Sequence, residues 1–392
     1  MFKQLLEAVE PSHVITGAVC GYFLYYFYKV VHRPVLIAAD GEFKSILSDE
    51  LVILKEHWWP TFWAFNTHFQ TITRVLFKAK PHISYKREIL NTPDHGQFSL
   101  DWLDPDEDND KFPDPAVRPT LVVLPGITGC SDASYVRTVI IEAEKMGFRA
   151  LVFNNRGMGK TDLKTPRTFC ACNGEDLEFV LEHVAKKYPE SPLIIFAVSL
   201  GGVIFTNYLS ENGGNCKANI AAALLISVPW DGAKTTSSLE KPVNWFLYNR
   251  FILNKLKVLI RQNLDVFQED DQLPYKLEDV MKATSIREFD EQFTSKTFGF
   301  PSCHDYYTES SLSLKPLEKI QIPMLFLNAR DDPFAPEESI PLDAIKKNPN
   351  MAIILTDYGG HIGFVEGPTI RSRSFVERLF HQYASCMLNV KH

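Results

Sequence analysis

Ile194-Ile195-Phe196-Ala197-Val198-Ser199-Leu200-Gly201-Gly202 is the stretch that decides the fold. A short apolar run, a serine, then glycines opening a helix is the sequence form of a nucleophile elbow. A buried strand enters, a helix leaves, and the Ser199 hydroxyl stands clear of the backbone on the sharp turn between them. Glycine belongs where a Cβ would strike a neighbouring strand or helix. The usual pattern is G-x-S-x-G, and here Ala197 takes the first glycine position. Alanine is the smallest replacement, so the turn is expected to survive. Taken alone, the pattern also fits an ordinary strand-to-helix connection, so the partners of the serine have to decide.

Working outward, the chain keeps a strand–helix rhythm from Thr120. Leu121–Leu124, Ala150–Phe153, Leu193–Val198, Ala221–Ser227, Met324–Asn328 and Ala352–Thr356 are short apolar runs that read as buried strands. Helices are expected at 132–146 (with Ser131 or Asp132 as N-cap), 174–187, 200–211, 337–346 and about 370–387. Residues 229–320 break the rhythm with amphipathic, charged helices. Alternation with one helical insertion predicts a mostly parallel sheet carrying a cap. Upstream, residues 84–103 alternate around Pro93-Asp94-His95-Gly96, a β-hairpin signal, and 104–119 reads as a solvated loop. Residues 40–80 read as helices, with Trp58, Trp59, Phe62, Trp63, Phe65 and Phe69 forming a broad apolar face.

A serine hydroxyl needs a base, and the base needs a group that orients it. The chain order Ser…Asp…His fits an α/β-hydrolase. After the strand Met324–Asn328 comes Asp331-Asp332-Pro333-Phe334-Ala335-Pro336. Asp332 is the expected acid, four residues before Pro336; Asp331 is read as a solvated neighbour or local cap, and Asp231 as a weaker third choice. Beyond the last strand, Gly359-Gly360-His361-Ile362-Gly363 offers His361 as the base on a loop. His361 also opens His-x-x-x-x-Glu366, a near miss to an acyltransferase pattern. The oxyanion hole needs two backbone N–H groups. Leu200, directly after the nucleophile, is one; Ile127 in Pro125-Gly126-Ile127-Thr128-Gly129 is the other. Gly157-Met158-Gly159-Lys160-Thr161 ends like a phosphate-binding loop, but Asn154 stands where that motif needs glycine. Arg156 reads as a structural hydrogen-bonding residue.

The net charge of −7 with no long basic block makes nucleic acid an unsuitable partner. The 7 cysteines are odd in number and lack zinc spacing, so they read as free thiols. No metal or organic cofactor is called for. Val14 to Val31 is almost wholly apolar or aromatic, with Tyr22, Tyr25, Tyr26 and Tyr28 towards its end. As a helix it would measure roughly 27 Å, close to a hydrocarbon core. It reads as a single-pass membrane anchor, a signal-anchor; Lys29 and Arg33 outweigh Lys3 and favour a cytosolic catalytic domain.

The expected architecture is an α/β-hydrolase fold: an anchor at 1–35, a helical and hairpin extension at 36–119, and the hydrolase domain at 120–392 with its cap at about 229–320. Leu124-Pro125-Gly126-Ile127-Thr128-Gly129, Phe153-Asn154-Asn155-Arg156-Gly157, Asp331-Asp332-Pro333-Phe334 and Gly359-Gly360-His361-Ile362-Gly363-Phe364 together resemble the membrane-anchored α/β-hydrolase-domain proteins of the family-four type. That group includes phospholipase-like members and yeast medium-chain ethyl-ester acyltransferase/esterases. The resemblance runs from the apolar N-terminal segment to the last helix. It implies a Ser199–Asp332–His361 triad and hydrolysis of carboxylic esters of membrane lipids, acyl chains of phosphatidylcholine included, with short or medium chains preferred in some members. Members are often type II membrane proteins, which disagrees with the charge count here. An alcohol O-acyltransferase using the same triad is the alternative, and a non-catalytic membrane scaffold is the reading from another class.

Overall fold

The computed structural model describes residues 10–78, 80–105, 111–212, 216, 218–268, 273–370 and 372–389. Its strands are β1 (Val35–Ala38), β2 (Lys86–Asn91), β3 (Gln97–Leu103), β4 (Thr120–Leu124), β5 (Arg149–Asn154), β6 (Leu193–Val198), β7 (Ile220–Ile226), β8 (Met324–Ala329) and β9 (Met351–Thr356). They form one sheet in the order β1-β9-β8-β7-β6-β4-β5-β3-β2. From β4 to β9 the pairings are parallel. The edges are antiparallel, with β1 on β9, β3 on β5 and β2 on β3.

The helices used below are α1 (Pro11–Tyr25), α2 (Glu42–Glu50), α3 (Thr67–Ile72), α4 (Ser134–Lys145), α5 (Glu175–Lys187), α6 (Leu200–Glu211), α7 (Gly232–Leu239), α8 (Arg250–Gln262), α9 (Cys303–Ser310) and α10 (Phe375–Met387). Continuous apolar strands are what a sheet covered on both faces requires. In β4, Leu121 and Val123 pack towards α4 and α10, while Val122 and Leu124 pack towards α5 and α6. The insertion after β7 builds its own apolar cluster from Tyr248, Leu256, Ile260, Phe289 and Phe293 over the C-terminal ends of the strands. Its last helix, α9, instead places Tyr306 and Tyr307 in the body core beside Phe205 and Tyr208.

Several local expectations change. The expected membrane span at Val14–Val31 is not supported: among the described residues no helix is long and apolar enough to cross a membrane. α1 has 15 residues. It then widens into a π-turn at Tyr26–Val30, where Tyr26 and Val30 are buried. These pack with Phe65 and Tyr358, and the Tyr26 hydroxyl donates to the Pro60 carbonyl at 2.5 Å. The end of the apolar segment is thus spent on protein contacts. The expected anchor and signal-anchor are therefore not supported by the described residues.

Residues 55–66 are irregular instead of helical. Pro60 lacks an N–H and restricts Trp59 before it, and the segment bridges to His32 and Glu366 in extended form. Trp58 is therefore buried against Phe364 and Phe375, while Trp59, Phe62 and Trp63 are exposed. β1 lies where no strand was expected, because four residues carry little local signal and its register exists only against β9. α4 starts at Ser134 with no side-chain cap. Ser131 donates to Asp101, and Asp132 pairs with Arg137 at 2.6 Å. The helix expected at 337–346 splits at Pro341 into a 3-10 turn at Glu337–Ser339 and a short helix at Leu342–Ile345.

Candidate active site

Ser199 sits between β6 and α6 with φ 52° and ψ −119°, a conformation a non-glycine residue holds only when its surroundings enforce it. Two features enforce it. The Ser199 N–H donates to the Ile226 carbonyl at 2.9 Å, continuing the β7 ladder into the turn. Gly201 then lies against the backbone leaving β4: a Cβ there would be 2.3 Å from the Leu124 carbonyl oxygen.

Three side chains meet at this point, each on a loop beyond the C-terminal end of a strand. His361 Nε2 lies 2.9 Å from Ser199 Oγ, and its Nδ1 lies 2.9 Å from Asp332 Oδ2 and 3.1 Å from Oδ1. Ser199, Asp332 and His361 are all buried. The Phe334 N–H donates to Asp332 Oδ1 at 2.8 Å, fixing the plane of the carboxyl. The Phe334 ring stacks on the imidazole, with centroids 3.9 Å apart and planes at 18°.

The loop after β4 approaches the serine from the other side. A Cβ on Gly126 would be 3.3 Å from Ser199 Cβ, and the turn closes with Gly129 N–H to Gly126 carbonyl at 2.8 Å. Ile127 is at the first corner of that turn. Leu200 is the first residue of α6, whose N–H has no carbonyl four residues back within the helix. Both line a small cavity of about 30 Å³, whose other walls include Leu256, Leu259, Phe289 and Phe293 from the insertion. Asp290 is also in that wall; burial raises its pKa to about 6 although Thr294 and Tyr307 donate to it.

A family model described as the alpha/beta hydrolase fold matches residues 119–368. The chain belongs to the α/β hydrolase fold family. Among its curated relatives, phospholipase ABHD3 of Homo sapiens is 40% identical over 379 residues, 97% of this chain and 91% of that protein. Phospholipase ABHD3 of Mus musculus is 39% identical, over 97% and 90%. Monoacylglycerol lipase ABHD2 of Mus musculus is 27% identical, over 89% and 84%.

The remaining polar candidates of this α/β hydrolase have other employment. Asp231 caps α7, accepting from Lys234 N–H at 2.9 Å. Glu366 pairs with Arg378, 3.2 Å away. Arg156 is buried between Asp94 and Asp176, both at 2.7 Å, and ties the β2–β3 turn to α5. Asp331 is not the solvated neighbour expected. Its Oδ1 accepts the Gly360 N–H at 2.8 Å, and its Oδ2 is buried with no hydrogen-bond partner. Burial pushes its pKa up to about 7, opposed by the Gly360 N–H and reinforced by Asp332. All 7 cysteines are free, and among the described residues no group of three His, Cys, Asp or Glu is placed to hold a metal ion.

Sequence reasoning missed the residues that hold the histidine loop. Thr71 Oγ1 accepts from His361 N–H at 2.9 Å, Ser227 Oγ from Ile362 N–H at 2.9 Å, and Gln70 Oε1 from Val365 N–H at 2.7 Å. The one local signal near them is Asn66, which caps α3 through the His68 N–H at 3.0 Å.

Proposed function

We propose that this chain is a serine hydrolase that cleaves carboxylic esters of lipids through an acyl-enzyme on Ser199. The observation that carries the reading is the unbroken chain of contacts from Asp332 through His361 to Ser199, each 2.9 Å at its shortest. Asp332 accepts from Nδ1–H, which leaves Nε2 as the acceptor for the serine proton. His361 takes that proton as Ser199 Oγ attacks the ester carbonyl. The Ile127 and Leu200 N–H groups would receive the negative charge on the carbonyl oxygen. His361 returns the proton to the departing alcohol, and water then cleaves the acyl-enzyme by the same route in reverse.

The apolar walls that Leu256, Leu259, Phe289 and Phe293 present next to Ile127 and Leu200 are what we read as the acyl-chain side of the site. A lipid ester as substrate is supported by the relatives named phospholipase and monoacylglycerol lipase. We read a phospholipid as the substrate class, met at a membrane surface rather than across one. Val14, Ile15, Leu24, Phe27 and Tyr28 on or beside α1, with Trp59 and Trp63, are exposed apolar groups of the kind that lie in a lipid interface. Transfer to alcohols is not favoured, since the relatives are named phospholipase and monoacylglycerol lipase.

The test is labelling by a serine-reactive fluorophosphonate, together with hydrolysis of phosphatidylcholine in mixed micelles. The wild type should do both and Ser199→Ala neither. A wild type that fails to label beside a working serine hydrolase would sink the proposal.

A further inference from the structure

We propose that α3, which lies upstream of the matched hydrolase region, is the positioning element of the catalytic histidine, with Thr71 as its decisive residue; this rests on the triad reading above. Thr71 Oγ1 donates to the Thr67 carbonyl at 2.8 Å. Its one proton is thereby committed, and its lone pairs are left to face the His361 N–H at 2.9 Å. Thr67 Oγ1 in turn donates to the Asp331 carbonyl at 2.8 Å, one residue before the acid. One helical turn therefore touches both the loop that carries Asp332 and the loop that carries His361.

The contact is close because the loop is glycine-rich where it meets the helix. Gly360 has φ 56°, and a Cβ there would be 2.3 Å from the Thr67 carbonyl oxygen; a Cβ on Gly363 would be 2.8 Å from the Gln70 carbonyl carbon. Gln70 is fully buried and pairs in both directions with Val365, accepting its N–H at 2.7 Å and donating to its carbonyl at 3.1 Å. The grip has a purpose, since Ile362 and Phe364 have φ of 63° and 45°, conformations that bulky residues hold only under constraint. Left to itself, the loop would relax and carry the imidazole away from Ser199. α3 is itself pinned to the body. It runs into Arg74, buried and bonded to Glu377 at 2.9 Å and to Thr138 at 2.8 Å. From the cap side, the Tyr248 hydroxyl meets His68 Nδ1 at 2.8 Å.

The experiment uses the full chain and compares Thr71→Val, which keeps the shape without the acceptor, with Thr71→Ser, which keeps the acceptor. For p-nitrophenyl butyrate, Thr71→Val should lower kcat about tenfold with KM within about twofold, because a small misplacement of the base costs turnover and leaves binding alone. The rate of fluorophosphonate inactivation should fall by the same factor. Thr71→Ser should restore both to within about twofold of wild type. If Thr71→Val unfolds, Thr71→Ala is read in its place against the same expectations. A variant with wild-type kcat and wild-type inactivation rate, or one that changes KM alone, overturns the proposal. Ser199→Ala run in parallel separates the two readings. If it stays active, the triad reading fails; if it is dead while Thr71→Val is normal, only the role of α3 fails.

Discussion

Replacing Asp332 by asparagine tests the site at its most exposed assumption. The structure fixes how the new side chain would sit. Asp332 Oδ1 receives the Phe334 N–H at 2.8 Å, so the asparagine carbonyl oxygen must take that position. Its NH2 group then occupies the place of Oδ2, 2.9 Å from His361 Nδ1. A donor now faces Nδ1, which must give up its proton and become the acceptor. The imidazole proton moves to Nε2, and Nε2 can no longer take the proton of Ser199. Orientation is kept and the tautomer is wrong, a combination expected to lower kcat by about 10⁴, or about 5.4 kcal/mol at the transition state. Asp331→Asn is the matched control. Its amide oxygen can still accept the Gly360 N–H, so turnover should stay within about threefold of wild type. Initial rates on p-nitrophenyl butyrate near pH 7, with melting curves to show that both variants fold, read the difference. An Asp332→Asn enzyme within tenfold of wild type, or a larger loss in Asp331→Asn, would refute the assignment of the acid.

Other outcomes follow from the same geometry. Gly201→Ala puts a Cβ 2.3 Å from the Leu124 carbonyl oxygen, with backbone on both sides, and should cost about 3 kcal/mol in urea denaturation along with the activity. Asp331, raised from its ordinary 3.8 to about 7 by burial, binds its proton more tightly folded than unfolded. Its contribution to stability is fully present below pH 3.8 and is lost as pH rises towards 7. Asp331→Asn should therefore gain stability over wild type at pH 8, by an amount on the order of a few kcal/mol, and match it near pH 4; equal gains at both pH values would remove the carboxyl as the cause. Leu256→Trp should narrow the cavity and lower kcat/KM for octanoyl esters at least tenfold relative to acetyl esters, about one to two methylenes' worth of binding; an unchanged ratio would place the acyl chain elsewhere. Serine at both Trp59 and Trp63, each about half exposed, should weaken binding to phosphatidylcholine vesicles by roughly 1–3 kcal/mol while p-nitrophenyl butyrate hydrolysis is unchanged.

The parts legible in the sequence are those whose constraints are local. β6, Ser199 and α6 follow one another within a few residues, and the apolar run, the serine and Gly201 each express the elbow at its own position. The strands β4 to β9 could be read because burial on both faces demands unbroken apolar runs. His361 and Asp332 could be named because the order of loops along the sheet constrains which residues reach the serine. The N-terminal segment is not legible in the same way. Apolar length from Val14 to Val31 does not say whether lipid or protein covers it, and Tyr26, Val30 and Val31 are covered by protein.

By itself, then, the sequence determined an α/β hydrolase fold and singled out Ser199, with Asp332 and His361 as its proposed partners, because hydrophobic period and turn chemistry are written residue by residue. Only the tertiary structure decided that Asp331 is buried and holds the Gly360 N–H, that Trp58 and Trp59 part ways at Pro60, and that α3 grips the His361 loop. Each of these depends on groups some 30 to 300 residues apart meeting within a few ångströms, as Thr71 and His361 do at a separation of 290. A hydrogen bond reaches about 3 Å and leaves no periodic trace in either of the segments it joins.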